Sequence, residues 1–337
     1  MRPQFGYSVT PGPPQGVAEE SAAAEALGYD RIGIWDSPAL FRDPWVTLAA
    51  TATATSRAAI GPWVTNPLSR HPVVTAAAAA SVDDLAPGRV YIGLGSGGTG
   101  AWHLGYRTAK LAQVEAYADA LRGLLEDGHA EWDGRPCRLE WAKRRIPIIL
   151  SAHGPQSLRL AGRIADGVVA GLGVTPEVVR GCLDLVAEGA REAGRAPADV
   201  EVWFTCFWLP QVSPADATWA ATAFALHFAR SGVDGKFLPD EHRDAVVELG
   251  RAYDLISHGA VSDEEKRQYA ELAERLGVAD YLRRRFVFSG TADEIEEQIR
   301  AATAAGAQRF DGAIDADLPE HRNRVETWAR LVLPRFA

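Results

Sequence analysis

IGPWVTNPLSRHPVVTAAAAASVDDLAPGRVYIGLGSGG, residues 60–98, reads as strand, polar turn, helix, strand and glycine-rich loop. Ile60 to Thr65 is a short apolar run with β-branched members, the composition of a buried strand. Asn66-Pro67 stops it, because Pro67 disfavours the α region for Asn66. Pro72 suits the first turn of a helix, the alanine-rich run Val73 to Ala80 continues it, and Pro87-Gly88 ends it. Val90 to Leu94 is the next apolar strand, and Gly95-Ser96-Gly97-Gly98 follows it. Strands joined through a helix run parallel. Both polar turns therefore lie at one end of neighbouring strands, the end at which α/β folds bind ligands.

The same alternation extends in both directions. Phe5–Val9 reads as a first strand, followed by a helix at Val17–Leu27 that Gly28 closes. Arg31–Trp35 is a second strand and Pro44–Ser56 a helix. Beyond the opening stretch come a helix at about Thr108–Glu126 and a small hairpin around Asp133-Gly134. Strands are expected at Ile146–Leu150, Val168–Ala170 and Val200–Leu209, each with a helix behind it: Pro155–Ile164, Pro176–Ala193 and Ala215–Arg230. The repetition breaks at Gly232–Arg285, a charged, mostly helical segment with a turn at Gly259. Such a segment at the ligand end reads as a lid or an oligomer contact. Helix Thr291–Ala305, strand Phe310–Ile314 and helix Glu320–Leu333 close the chain. Eight alternating units imply a (β/α)8 TIM barrel, with a doubly wound open sheet as the alternative. The expectation is a single domain over residues 1–337, with an insertion at about 232–285 before the last βα unit.

Composition narrows the function classes. The chain has 337 residues and a net charge of -9, which argues against nucleic acid and anionic membranes as partners. No apolar run approaches the roughly 20 residues of a membrane span, and the first residues lack the apolar core of a signal peptide. Cys137, Cys182 and Cys206 are scattered and odd in number, so no disulfide framework is expected, and a cytoplasmic protein is. The dispersed histidines and the absence of an HExxH pattern leave no metal site. Gly95-Ser96-Gly97 lacks the spacing of a serine-hydrolase elbow.

Two loops could hold an anion. Glycines at 95, 97 and 98 allow close backbone approach and Ser96 adds a hydroxyl, although every βα turn needs something similar. In Ser151-Ala152-His153-Gly154-Pro155-Gln156-Ser157, Pro155 fits the first helical turn, so the amides of Gly154, Gln156 and Ser157 would face the ligand side. His153 would pair with a phosphate, stack near a ligand or sit passively. Asp36-Ser37, at a strand end before Pro38, could orient substrate, move a proton or only cap the turn.

VTNPLSRHP with GLGSGG, and IPIILSAHGPQSLRLAGRIADGVVAG at 146–171, resemble the luciferase-like superfamily of flavin and deazaflavin oxidoreductases, nearest the branch containing methylenetetrahydromethanopterin reductase. The resemblance implies an enzyme that transfers a hydride between coenzyme F420 and a small organic substrate. The alternative is FMN, supplied reduced by a partner reductase, with oxygen insertion; a lesser one is a barrel that binds flavin without chemistry. It places the cofactor phosphate between Gly95–Gly98 and Ala152–Gln156, with Gly171 ending the next strand. It also implies a cis peptide at Trp63–Val64 behind the ring, with Thr65 and Asn66 at the ring's polar edge. A homo-oligomer is expected. Three positions depart from the pattern: Ser37 where relatives often carry His, Ser8 in place of Glu, and Gly98 in place of Asp. These argue against methylenetetrahydromethanopterin as substrate; either the substrate supplies its own acid, or Asp36 and His153 take over proton transfer. Tyr7, Trp35, Phe41, Trp45, Trp102, His103, Phe207 and Trp208 could build an aromatic pocket, although aromatics at such positions are more often core; the loop members Phe41, Trp102 and His103, with Ser37, are the substrate candidates.

Overall fold

The computed structural model describes residues 2–253, 261–313 and 318–337. In chain order β1 (Gln4–Val9), α1 (Pro14–Leu27), β2 (Arg31–Ile34), α2 (Pro44–Ala54), β3 (Ala59–Pro62), α3 (Pro72–Leu85) and β4 (Ile92–Leu94) come first. A short α4 (Gly98–Trp102), α5 (Leu111–Arg122) and the hairpin of β5 (His129–Trp132) and β6 (Arg135–Arg138) follow. Alternation resumes with β7 (Ile148–Ala152), α6 (Pro155–Ile164), β8 (Gly167–Ala170), α7 (Pro176–Glu192), β9 (Glu201–Pro210) and α8 (Pro214–Arg230). The helices α9 (Asp240–Ala252), α10 (Asp263–Arg275) and α11 (Ala279–Phe286) precede β10 (Val287–Gly290), α12 (Ala292–Ala304), β11 (Arg309–Ala313) and α13 (Leu318–Leu331).

The sheet runs β3-β2-β1-β11-β9-β8-β7-β4, and neighbours are parallel. Its two ends meet through bridges at Ile60–Val90 and Thr65–Leu94. Tyr91 N–H reaches Ile60 O at 3.0 Å and Thr65 N–H reaches Gly93 O at 2.9 Å. The result is an α/β barrel of the (β/α)8 kind, not an open doubly wound sheet.

Several local expectations need correction. A strand went unread: β10 pairs with the upper half of β9, from Val287 beside Phe207 to Gly290 beside Pro210. It follows α11 without a loop, so no turn residue marks its start. The third strand ends at Pro62, short of Thr65, and a five-residue π-helix takes over from α5 at Gly123. Gly98 begins the short helix α4 where only a loop was expected. The turn at Gly259 and the strand end at Ile314 lie outside the described residues.

Strand side chains alternate between the barrel interior and the helix layer. Phe5, Tyr7 and Trp208 face outward into the main core, where Trp208 stacks on Trp328 at 4.3 Å. Arg31, Tyr91 and Trp203 fill the lower interior. One layer up, the wall between β3 and β4 is drawn in tightly: a Cβ on Gly93 would lie 2.1 Å from Pro62 O. Only glycine permits that approach.

Gly93→Ala should therefore destabilise the fold by about 1–3 kcal/mol or more, since backbone cannot move aside. Gly98→Ala, whose Cβ would make only ordinary contact with Trp102 at 3.5 Å, should leave the urea midpoint nearly unchanged. Equal midpoints for the two variants would contradict the tight packing at Gly93.

Candidate active site

The C-terminal ends of the strands open into a cleft of about 300 Å³. Its barrel side carries the uppermost inward residues of successive strands: Trp35, Trp63, Ser151, His153, Val169, Thr205, Phe207 and Ala313. Val64, Asp36, Ser37 and the loop Gly97–Gly100 complete that side. The Trp63–Val64 peptide is cis. Gly97 takes a left-handed φ of 86°, and a Cβ there would press on Asn66 at 2.9 Å, so this glycine is required by the turn itself.

Asn66 and Thr65 are fully buried beneath the cleft wall. Asn66 Oδ1 accepts from the amides of Leu68 and Ser69, both at 3.0 Å. This Asx turn delivers Arg70, whose guanidinium meets Asp36 at 2.5 Å and Asp43 at 2.9 Å. Asp36 is buried; its Oδ1 has no hydrogen-bond partner among the described residues, and the Thr65 hydroxyl lies close without making a full bond. Burial raises the Asp36 carboxyl above the usual range, and Arg70 pulls it down by less. Ser37 Oγ and Thr99 Oγ1 share a hydrogen bond of 2.6 Å, which ties the β2 end to the glycine loop.

The second loop is built differently from expectation. The Gly154 amide is not open to a ligand: it donates to Ser157 Oγ at 3.2 Å. Gln156 and Ser157 follow Pro155 in the first turn of α6, where amides have no partner within the helix itself. His153 lies on the cleft wall with Nε2 at 3.1 Å from Ser151 Oγ. Gly171 leaves room for its ring, which a Cβ would meet at 2.4 Å. Burial, and then the Lys236 charge, hold the imidazole at about 4. Lys236 belongs to a turn that Arg285 staples to the barrel by donating to Leu172 O, Phe237 O and Lys236 O.

The remaining expected residues scatter. Ala152 is buried behind the wall; Gly95 and Ser96 lie below the cleft's edge, and Gln156 is exposed on α6. Phe41, Trp102 and His103 are half-buried outside the cleft, although Phe41 packs edge-on against Trp35 at 6.1 Å. Of the proposed aromatic pocket, Trp35 and Phe207 line the cleft; Tyr7, Trp45 and Trp208 are core. The facing wall went unread. It comes from α8 (Trp219, Ala223, Phe224) and from Tyr253, Val261 and Lys266. The i, i+4 spacing of Trp219 and Ala223 was visible, but not what that face would cover. Among the described residues no helix is long and apolar enough to cross a membrane, and no group of His, Cys, Asp or Glu could hold a metal.

His153 should stay neutral well below pH 6. By NMR its ring should titrate near pH 4, and a midpoint near 6.5 would contradict the burial described. An unfolded histidine titrates near 6.5. The unfolded chain thus binds more protons between pH 6.5 and 4, and stability should fall as pH drops through that window.

The fold and cleft can now be set beside known proteins. The 5,10-methylenetetrahydromethanopterin reductase of Methanolobus tindarius is 32% identical over 213 residues, 60% of this chain. The match spans 64% of that relative, under two thirds of its length. A Mycobacterium tuberculosis protein described as a coenzyme F420-dependent oxidoreductase is 26% identical over 333 residues, covering 94% of this chain and 88% of its own. The solved structure of coenzyme F420-dependent tetrahydromethanopterin reductase from Methanopyrus kandleri superposes with a TM-score of 0.75 at 22% identity, over all of both chains. That likeness shows a shared fold. The family model for luciferase-like monooxygenases matches residues 2–309, and the chain belongs to this family of oxidoreductase enzymes.

Proposed function

We propose that the protein transfers a hydride between coenzyme F420 and a small organic substrate. One observation carries the reading: the Trp63–Val64 segment, the glycine loop at 97–100 and the α6 end of β7 all face one cleft at the barrel mouth. The named reductase relatives favour the deazaflavin over FMN. The family's monooxygenase members keep FMN with oxygen as the second reading. We treat residues 232–285 as part of the same domain, because α8, α9, α10 and α11 pack on one another at this mouth.

The chain's residues fit such a group. The barrel side offers flat apolar contact through Trp35, Trp63, Val64 and Val169. Polar capacity lies beside it in the Ser151 hydroxyl and the loop amides. Gln156 and Ser157, opening a ten-residue helix, would hold a phosphate by about 0.3–1 kcal/mol of dipole interaction, more when partly buried. When bound, the deazaflavin supplies or accepts the hydride; the protein orients the partners and excludes water. Asp36 is the carboxylate that lines the cleft, and it holds or gives a proton there, with Arg70 balancing its charge. The neutral His153 serves as hydrogen-bond partner, not as a cation. Thr65 and Asn66 support the floor from beneath.

Gly154→Asp tests the phosphate site without straining the backbone, since a Cβ at 154 meets only Lys236 Cε at 3.5 Å. Aspartate is a good N-cap, so thermal stability should hold or rise. Its charge should weaken F420 binding by about tenfold or more, roughly one charge-assisted contact. Unchanged affinity would remove the anion from this helix.

Asp36→Asn should lower kcat by about 10²–10⁴-fold, the usual contribution of a general acid or base, with cofactor affinity within a small factor. Turnover should proceed under nitrogen with reduced or oxidised F420. Product formation only with FMNH2 and oxygen would replace the first reading with the second.

A further inference from the structure

The cleft's outer wall faces the barrel side across the opening. Trp219 and Ala223 lie one turn apart on α8 with Phe224 beside them, and Lys266 reaches in from α10. The rings are fixed by their neighbours: Phe224 meets Phe207 edge-on at 4.8 Å, and Trp219 lies nearly parallel to Tyr269 at 5.9 Å. The Lys266 ammonium is 6.0 Å from the Trp219 ring centre. Among the described residues its acidic neighbour is Asp263, 3.8 Å away on a side chain 95% exposed. So distant and solvated a partner neutralises little. The other charged group lining the cleft, Asp36, is already matched by Arg70. Among the described residues the wall therefore offers flat apolar faces with one weakly compensated cation at their edge.

We propose that this wall binds the organic substrate, and that Lys266 anchors an acid group on it, so that planar arylcarboxylates are selected over neutral molecules of the same shape. The proposal rests on the reading that the barrel side takes the cofactor. Aromatic faces supply area without sequence of polar contacts. A lysine ammonium 6.0 Å from the Trp219 ring centre can hold an acid group at the ring's edge while the ring covers the apolar body. A carboxylate gains a charge-assisted hydrogen bond there that an amide lacks. Lys266 determines specificity and takes no part in the chemical step.

The test uses cinnamate and cinnamamide as probes, titrated calorimetrically into the purified full-length protein with and without saturating F420. The acid should bind about tenfold tighter than the amide, and added salt should shrink the difference. Lys266→Gln should abolish the preference while Lys266→Arg keeps it, and F420 affinity should be unchanged in both. Equal binding of the two probes, binding of neither, or a preference that survives Lys266→Gln overturns the proposal. So does a Lys266→Gln variant that loses F420 affinity and keeps its acid preference, which would assign the lysine to the cofactor's tail. Failure of F420 to bind native protein, with the acid preference intact, would instead count against the cofactor reading alone.

Discussion

A guanidinium closes the bottom of this barrel. Arg31 is buried, with its central carbon 4.0 Å from the Tyr91 ring centre, 4.7 Å from Trp203 and 5.1 Å from Trp63. Its acidic partner, Asp311, stands 4.0 Å away, and both Asp311 oxygens lack hydrogen-bond partners among the described residues. Burial lifts that carboxyl to about 7 despite Arg31. A buried pair with such geometry is weak evidence for stability on its own. The aromatic faces must do much of the holding, since cation–π contacts are worth about 2 kcal/mol or more when desolvated. Because Asp311 is protonated more readily in the fold than in the unfolded chain, its contribution is full below about pH 4 and is lost as pH rises through 7.

That plug determines where a ligand can go. Trp63 is shared: one part of it packs toward Arg31 and another lines the cleft. With the lower interior filled, the cleft lies at the C-terminal ends of the strands. Arg31, which opens β2, and Trp35, just past its end, illustrate this, four residues apart. The residues facing the cleft are thus fixed by strand register, and a one-residue slip would exchange Thr205 and Phe207 for Cys206 and Trp208. Above them, Arg285 joins the two carbonyls of the Lys236-Phe237 turn to Leu172 O of the barrel, and α11 packs on α8, which carries the facing wall.

How much of this was legible depends on the range of the interactions. Pro155 opening α6, Gly28 ending α1 and Pro72 opening α3 follow from backbone preferences of one or two residues, and the structure has them there. The alternation of units gave the barrel for the same reason. The Asp36–Arg70 pair spans 34 positions and depends on a turn whose Asn66 looked equally suited to face a ligand. β10 was hidden because Val287-Phe288-Ser289-Gly290 continues directly from an arginine-rich helix. The α8 and α10 wall was hidden because helical spacing shows that a face is apolar but not whether it meets core or cleft.

The proton question follows from the same geometry. Ser8 is buried in the barrel wall, and its hydroxyl has no partner among the described residues. Gly98 begins α4 without a side chain to offer. Neither position carries a carboxylate. The two Asp36 oxygens differ: Arg70 holds one, and the other has no hydrogen-bond partner among the described residues. Burial raises the carboxyl above its usual range, and Arg70, a cation that Asp43 also shares, opposes that shift by less. The hydrogen-bonded Ser37–Thr99 hydroxyls tie the residue beside it to the glycine loop, so the carboxyl stands on a rim whose polar groups are already fixed.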